Sequence, residues 1–345
     1  SISFTRLRLT GISDKNRWFA TSARGDNSVI TLLKRLREET QVSITKAKEA
    51  LQLNDNNYDK ALEWLLEDAK RSGATRAEKV KGRIAKEGLI GIALREGGGA
   101  IVEVNSETDF VSRNTIFQDL VTRIATTALF LSSDLSPRAA RPRITDIPLS
   151  FLESSPLLPH PSTTTAASAP SITVAESIVD TIGNLKENIN LRRAAVVDGE
   201  GAIVGGYVHG GGESWTGRYG GLVVFGADGG GLESKAGEDI KKLARGLARQ
   251  VVGLNPEYID EASVKHIPDD VDKHEYLAEA VLLNQGYLLG GGSVSQILQK
   301  AGEGLGGVKF SIFDFVRWEC GEGIEKPLED FATEVMKQAN LPPSH

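Results

Sequence analysis

The spacing of the apolar residues changes at residue 88, and this change limits the architectures that the chain can adopt. Before it, apolar residues recur three and four positions apart, which is typical of amphipathic helices. After it, short apolar runs alternate with glycine-containing turns, which predicts strands joined as hairpins. Because helices follow these hairpins, the order of elements favours an α+β fold over a parallel, doubly wound sheet.

Residues 28–70 are predicted to form three short helices. Their apolar faces comprise Val29, Leu32, Leu33 and Leu36, then Ile44, Ala47, Ala50 and Leu51, then Tyr58, Ala61, Leu62, Leu65 and Leu66. Ser43 can cap the second helix, and the run from Asn54 to Asn57 separates it from the third. The size matches a ubiquitin-associated (UBA)-like module, whose exposed apolar rim usually holds another protein.

A basic linker is predicted over residues 71–87. Between Lys70 and Lys86, seven basic residues stand against a single acid, Glu78. A solvated connector and a strip that follows phosphate groups both fit this composition, and the sequence leaves both open.

The remaining chain is predicted to form a core of two similar halves, residues 88–193 and 194–338. The first half has apolar runs at 89–94 and 100–104 and a helix at 117–131; the second has strands at 194–197, 202–209 and 222–225, a helix at 237–252, and further elements at 273–285, 308–320 and 328–338. Fourteen of the 37 glycines fall between residues 199 and 231, where tight turns need positive φ. We interpret the recurring order as a duplicated antiparallel sheet backed by helices.

Two segments have compositions that predict no packed structure. Residues 1–25 carry five basic side chains against one acid, Asp14, and are rich in serine and threonine, as is typical of a mitochondrial presequence. The segment 17–22 resembles a mitochondrial processing site, with Arg17 two residues before Phe19 and cleavage after Phe19, and a disordered basic tail is the alternative. Residues 133–170 contain seven of the twelve prolines and are predicted to be a disordered surface insertion.

The composition argues against several classes of site. The single cysteine, Cys320, excludes an intramolecular disulfide and a cysteine-rich zinc module, and we expect it to be a small buried residue. No Gly-Lys dipeptide occurs, so a Walker A phosphate loop is excluded. The G-x-G-x-x-G match at 302–307 precedes a strand-like run rather than a helix, so we interpret its glycines as turns.

Charge and hydropathy narrow the functional classes further. The net charge of −6 disfavours a chain held on nucleic acid by overall charge. No apolar run reaches the length of about 18 residues that a membrane-spanning helix needs. We therefore expect no catalytic residues, no metal site, no cofactor and no membrane span.

One candidate interaction site remains. The segment 103–111 runs from the end of a strand through a loop into a helix. Thr108 or Asn105 can cap that helix, and Phe110 can be a core residue. Alternatively, Asp109 and Phe110 can form an acidic and aromatic wedge that inserts into a partner.

Several collinear segments resemble the elongation factor Ts family. They are LLKRLREETQVSITKAKEAL at 32–51, VEVNSETDFV at 102–111, NINLRR at 188–193, YVHG at 207–210 and RWECGEGIEK at 317–326. The resemblance spans residues 29–132 and 175–338, in the family's order. With the presequence, it is similar to the mitochondrial members of the family.

The resemblance implies a guanine-nucleotide exchange factor without a catalytic site of its own. Members of this family bind the translational GTPase elongation factor Tu and promote exchange of its GDP for GTP. By position, Asp109 and Phe110 would insert beside the partner's magnesium and phosphate site, flanked by Thr108 and Val111.

Four further positions are implied to take part in the contact. Arg37 and Ile44 lie on the first two predicted helices and match positions that touch the partner's GTPase domain. Leu185 and His209 match core positions tied to the same contact. The expected partner is mitochondrial elongation factor Tu, in the matrix, and we expect no directly bound nucleotide, membrane or stable nucleic acid.

Three departures from the family pattern affect these expectations. The turn at 40–43 lacks the usual glycine, and the insertion at 133–170 is not typical. Only residues 276–287 precede the run at 288–292, so the self-association hairpin of bacterial members is predicted to be missing, and we expect a one-to-one complex. The alternative functions are a ubiquitin or nascent-chain adaptor built on residues 28–70 and a ribosome-associated RNA-binding factor using residues 70–86.

Overall fold

A computed structural model shows that the protein combines α-helices with antiparallel β-sheets, which confirms this part of the predicted fold class. The structure describes residues 29–40, 42–135, 141–163, 172–199, 201–211, 215–228 and 237–325. The predicted presequence at 1–25 and the predicted closing helix at 328–338 lie outside these residues. The chain divides into two compact units between Arg71 and Ser72.

The first unit is helical. It contains α1 (Val29–Thr40), α2 (Ile44–Leu53) and the first part of α3 (Tyr58–Val80). The three helices share a small core in which Leu36, Leu51 and Ala61 are fully buried. Most of the apolar positions predicted at helical spacing therefore belong to this core, whereas Val29, Ile44 and Leu66 are exposed.

The ends of α2 follow the predicted signals. The Ser43 hydroxyl accepts a hydrogen bond from the Lys46 backbone N–H at 3.2 Å, which confirms the cap. Beyond the helix, Asp55 and Asn56 adopt left-handed backbone conformations with φ of 52° and 56°. Asparagine and aspartate tolerate this region better than most residues, so the helix ends here.

The second unit is built on two antiparallel sheets. Its strands are β1 (Glu87–Arg95), β2 (Gly98–Ser106), β3 (Thr145–Asp146), β4 (Ile189–Asp198), β5 (Ile203–His209), β6 (Thr216–Gly217), β7 (Tyr219–Ala227) and β8 (Phe310–Glu319). One sheet has the strand order β3-β4-β2-β1-β6, and the other has the order β5-β7-β8.

The second unit also contains helices, several of which pack against the two sheets. They are α4 (Asp109–Ser112), α5 (Thr115–Leu135), α6 (Leu149–Ser154), α7 (Val174–Leu185), α8 (Glu238–Leu254), α9 (Lys273–Ala280) and α10 (Val294–Glu303). Phe117 and Ile124 of α5 are buried in the core of the first sheet, and Leu247 of α8 is buried in the core of the second. Ile90 and Leu222 belong to a third cluster, between the two sheets.

The predicted basic linker at 71–87 is wrong in its first part, because α3 continues to Val80. Ala77 and Val80 pack against the core of the first sheet. The Arg76 guanidinium donates from Nη1 to the Gly183 carbonyl on α7 at 2.6 Å. The many charges of this run predicted a linker, whereas its few apolar positions decide that it packs as a helix.

The predicted boundary between residues 193 and 194 is also wrong, because it falls inside β4. This strand pairs with β2 along its length, from Ile189 opposite Ser106 to Asp198 opposite Gly98. All of β4 therefore belongs to the five-stranded sheet. The two arginines before residue 194 interrupt the apolar pattern, and pattern alone placed the start of the strand too late.

The prediction of a disordered insertion at 133–170 is wrong for the described residues 133–135, which end α5, and 141–163. Ile147, Leu152 and Leu157 are buried in the core of the first sheet. The Ile147 N–H also donates to the Ala194 carbonyl on β4 at 2.8 Å. Three well-spaced apolar side chains are enough to dock a proline-rich segment. Residues 136–140 and 164–171 lie outside the described part of the chain.

Two helices without a predicted counterpart begin with capping boxes. Thr173 and Glu176 form one at the start of α7, and Ser293 and Gln296 form the other at the start of α10. The helix predicted at 273–285 ends early, at Ala280. Among the described helices, none is both long enough and apolar enough to cross a membrane.

The carboxylate of Glu103 is fully buried on β2 and links three parts of the second unit. It accepts hydrogen bonds from Arg192 Nη1 at 2.9 Å, Arg193 Nε at 2.5 Å and the Gly321 N–H at 2.8 Å. Burial alone would raise the pKa of Glu103, but these donors outweigh burial and hold the pKa below its ordinary value. The strand thus carries a buried negative charge that its neighbours compensate.

We expect Leu152→Ala to lower the free energy of unfolding by about 3 kcal/mol, because it opens a cavity in the core. Phe151→Ala is the matched control: Phe151 is the preceding residue of α6 and 42% exposed, so its loss should cost under about 1 kcal/mol. Urea unfolding measures both values. Equal, small losses would contradict the packing of this segment.

We expect Glu103→Ala to lower the free energy of unfolding by about 3 kcal/mol at neutral pH, since two arginines lose their buried partner. Asp198→Ala, which breaks a more exposed pair with Arg95, should cost under about 1 kcal/mol.

The stabilising effect of Glu103 should also depend on pH. The folded pKa of Glu103 is lowered, so its contribution to the free energy of unfolding is complete above about pH 4.5 and is lost as pH falls through the folded pKa. Urea titrations at pH 7 and about pH 3 should show a smaller difference in stability between the wild type and Glu103→Ala at the lower pH. A constant difference would contradict this role.

Candidate partner-binding site

The turn after β2 presents a large aromatic side chain to solvent. Phe110 lies on the single-turn helix α4 and is 77% exposed, and the adjacent Asp109 is half-exposed. The next residue, Val111, is only 6% exposed and packs into the core of the first sheet. Val111 therefore anchors the turn in the core, while Phe110 is exposed to solvent. The interpretation of Phe110 as a core residue is wrong.

Hydrogen bonds hold the backbone of this turn. Thr108 occupies the N-cap position of α4, but its side chain does not cap the helix. Instead its hydroxyl donates to Glu187 Oε1 at 2.7 Å and its N–H donates to Glu187 Oε2 at 3.0 Å. The Ser112 hydroxyl donates to the Asp109 carbonyl at 2.6 Å. Asn105 is not a cap either, because it is buried on β2.

The Asp109 carboxylate on the turn forms only a weak, solvent-exposed ion pair. Asp109 Oδ2 lies 2.9 Å from Arg113 Nη2, and both side chains are at least half-exposed. A helical i,i+4 pair of this kind contributes about 0.3–0.5 kcal/mol in water. The carboxylate of Asp109 can therefore change partners at little cost when another donor approaches.

A shallow depression of about 420 Å³ surrounds the predicted residue His209. The His209 ring stands between Tyr207 and Tyr219, with ring centroids 6.4 Å away on each side. The Arg249 guanidinium carbon lies 5.9 Å from the centre of the Tyr207 ring, and that of Arg317 lies 5.3 Å from the centre of Tyr219. Within the described part of the chain, neither arginine pairs with a carboxylate. Arginine and tyrosine are among the side chains that are enriched at protein interfaces.

Sequence reasoning named His209 but missed the arginines and tyrosines around it. Tyr207 and His209 are two positions apart on β5, so strand geometry places them on one face. This spacing could have identified Tyr207. Arg249 on α8 and Arg317 on β8 carry no such local signal, because tertiary packing alone brings them there.

The other predicted contact residues lie in different places. Leu185 is half-buried at the edge of the core, at the end of α7 and two residues before Glu187. Arg37 and Ile44 belong to the first unit, where Ile44 is 59% exposed and the exposed Arg37 donates from Nε to the Val42 carbonyl at 3.4 Å. Only positions 108–111 form one contiguous group.

Cys320 is buried, as predicted. Burial raises the pKa of its thiol to about 12, and the nearby negative charge of Glu103 acts in the same direction. The thiol is therefore protonated at neutral pH and is a poor nucleophile. Among the described residues, no group of three or more histidine, cysteine, aspartate and glutamate side chains could hold a metal ion.

Comparison with known proteins gives a consistent result. The family described as Elongation factor TS matches residues 107–276. An elongation factor Ts of Rhodopseudomonas palustris strain BisA53 is 35% identical over 332 residues, covering 88% of this chain and 95% of the relative. A protein of Heterostelium pallidum named "Elongation factor Ts, mitochondrial" is 33% identical over 336 residues, covering 94% of this chain and 87% of the relative. The chain therefore belongs to the elongation factor Ts family.

Proposed function

We propose that this chain is a guanine-nucleotide exchange factor that binds elongation factor Tu and accelerates the release of GDP. The turn formed by Thr108, Asp109 and Phe110 inserts beside the partner's magnesium and phosphate site. The observation that carries this proposal is a 77% exposed phenylalanine on a turn whose backbone is hydrogen-bonded and whose next residue is anchored in the core. A rigid, exposed aromatic side chain is typical of an interface hot spot.

Such a factor needs no catalytic group, because its effect is a coupling free energy. Binding of the factor and binding of GDP with magnesium to the same GTPase oppose each other, and linkage requires each to weaken the other equally. Truncating an aromatic hot spot typically costs about 2–4 kcal/mol of interface energy. When this energy is used to displace the partner's residues that support magnesium, it corresponds to roughly a 30-fold to 1000-fold change in the partner's affinity for the nucleotide.

The remaining predicted residues have separate parts in this proposal. Arg37 and Ile44 on the first unit bind the partner's GTPase domain, and the exposure of Ile44 supports this. His209 provides a further contact through the depression that surrounds it. Val111 and Leu185 act from within the protein, since Val111 is buried and Leu185 is half-buried. Both stabilise the turn rather than presenting a contact surface.

We further propose that the first unit is a UBA-like module and that the two sheet-and-helix halves arose by duplication. In support, the β1–β2 hairpin is followed by α5, and the β5–β7 pair is followed by α8. We propose the mitochondrial matrix as the location, which the basic, acid-poor composition of residues 1–25 supports.

We expect Phe110→Ala to reduce the stimulated rate of GDP release from elongation factor Tu by at least about 30-fold. Release of a fluorescent GDP analogue in stopped flow measures this rate. Phe130→Ala is the matched control, because Phe130 is 68% exposed on α5 and has no role in the proposed contact. A folded Phe110→Ala protein with near-normal stimulation would contradict the proposed function.

We expect a one-to-one complex with elongation factor Tu. The helix α9 ends at Ala280, and the described residues 281–293 lead to α10 without a helical hairpin. Multi-angle light scattering of the purified complex should give the mass of one heterodimer. Twice that mass would contradict the expected stoichiometry.

A further inference from the structure

Two loops are joined by reciprocal hydrogen bonds beside the exposed turn, and we call this set of hydrogen bonds the clasp. One follows β2 and contains Glu107 and Thr108, and the other precedes β4 and contains Glu187 and Asn188. Glu107 Oε1 accepts a hydrogen bond from the Asn188 N–H at 2.6 Å. Glu187 in turn accepts from the Thr108 N–H at 3.0 Å and from its hydroxyl at 2.7 Å. Each carboxylate therefore binds the backbone of the opposite loop.

The end of α7 brings Glu187 to this position. Lys186 adopts a left-handed conformation with φ of 64°, and its N–H donates to the Ile182 carbonyl at 2.8 Å. This left-handed residue ends the helix and reverses the chain immediately before Glu187. The helix itself starts with the capping box at Thr173 and packs into the core through Ile178.

Glu187 is the main connection between Thr108 and the rest of the protein. Among the described hydrogen bonds of Thr108, only those to Glu187 reach a residue that is distant in the sequence, since its carbonyl accepts the third from the hydroxyl of Ser106, two positions earlier. The ion pair between Asp109 and Arg113 is also local. Without Glu187, Thr108 itself would keep only local hydrogen bonds, and its loop would be tied to the opposite loop through Glu107 and the Asn188 N–H.

We propose that Glu187 is a positioning residue for nucleotide exchange, acting by holding the Thr108 backbone so that Phe110 is pre-organised for insertion. This inference rests on the proposed function of the turn. A side chain that is already fixed in its bound geometry avoids the entropy cost of being ordered at the moment of binding. Glu187 touches neither nucleotide nor magnesium and acts only through Thr108 and Phe110.

We expect Glu187→Ala to lower the maximal rate of GDP release, at saturating factor, by about tenfold, the typical effect of losing hydrogen bonds to a charged group. Glu187→Gln should stay within about threefold of the wild type, because its carbonyl can still accept from the Thr108 N–H and its amide can donate to the hydroxyl. Glu176→Ala, which removes the capping box at the other end of α7, is the matched control and should leave the rate unchanged.

A double-mutant cycle with Phe110→Ala separates positioning from a general structural role. If Glu187 acts through Phe110, adding Glu187→Ala to Phe110→Ala should cause no further loss of rate. Independent, multiplicative losses would overturn the proposal, as would an equal loss in Glu187→Gln and Glu187→Ala, or a normal rate in Glu187→Ala. A normal rate in Phe110→Ala would instead overturn the proposed function itself.

Thr108→Val provides the same test from the other side of the clasp. It keeps the size of the side chain and the backbone N–H but removes the hydroxyl that donates to Glu187. We expect a loss between those of Glu187→Gln and Glu187→Ala, and a normal rate would overturn the proposal. This variant also keeps the proposal testable if Glu187→Ala does not fold.

Discussion

The burial of β2 along its whole length is the constraint on which the candidate site depends. All nine residues of this strand are buried, and it lies between β1 and β4 in the first sheet. Val102 and Val104 contribute to the core of the first sheet, whereas Ile101 belongs to the cluster between the sheets. Because both faces and both edges are occupied, the strand cannot shift, and the turn that follows it has a defined position.

The buried charge on Glu103 restricts which groups can pack around β2. A buried carboxylate is costly unless its surroundings supply donors, and here two arginines of β4 and the Gly321 N–H do so. Gly321 follows β8, so the same carboxylate links the first sheet to the last strand of the second. The rigid support thus extends through both sheets, while the exposed Phe110 stands at its edge.

Features set by neighbours in the sequence were predictable. The helical faces of the first unit, the Ser43 cap and the burial of Cys320 all follow from local spacing or residue type. The strand-to-helix turn at residues 108–111 was also located correctly, although two interpretations of Phe110 stayed open. The two segments that were wrongly predicted to be unpacked have a different explanation. In the basic run before Val80 and in the proline-rich segment around Leu152, a few apolar side chains pack into the core of the first sheet. The composition of these segments does not reveal this packing.

Local sequence patterns located the helices of the first unit, most of the longer strands and the turn of the candidate site, and they carried the family resemblance, but they did not reveal α7 or α10. Tertiary structure alone decided that Phe110 is exposed and Val111 buried, that β4 joins the first sheet, and that Arg249 and Arg317 meet beside His209. The clasp between Thr108 and Glu187 joins residues 79 positions apart. Capping and periodicity depend on residues within a few positions, whereas burial and the pairing of charges depend on segments that only the folded chain brings together.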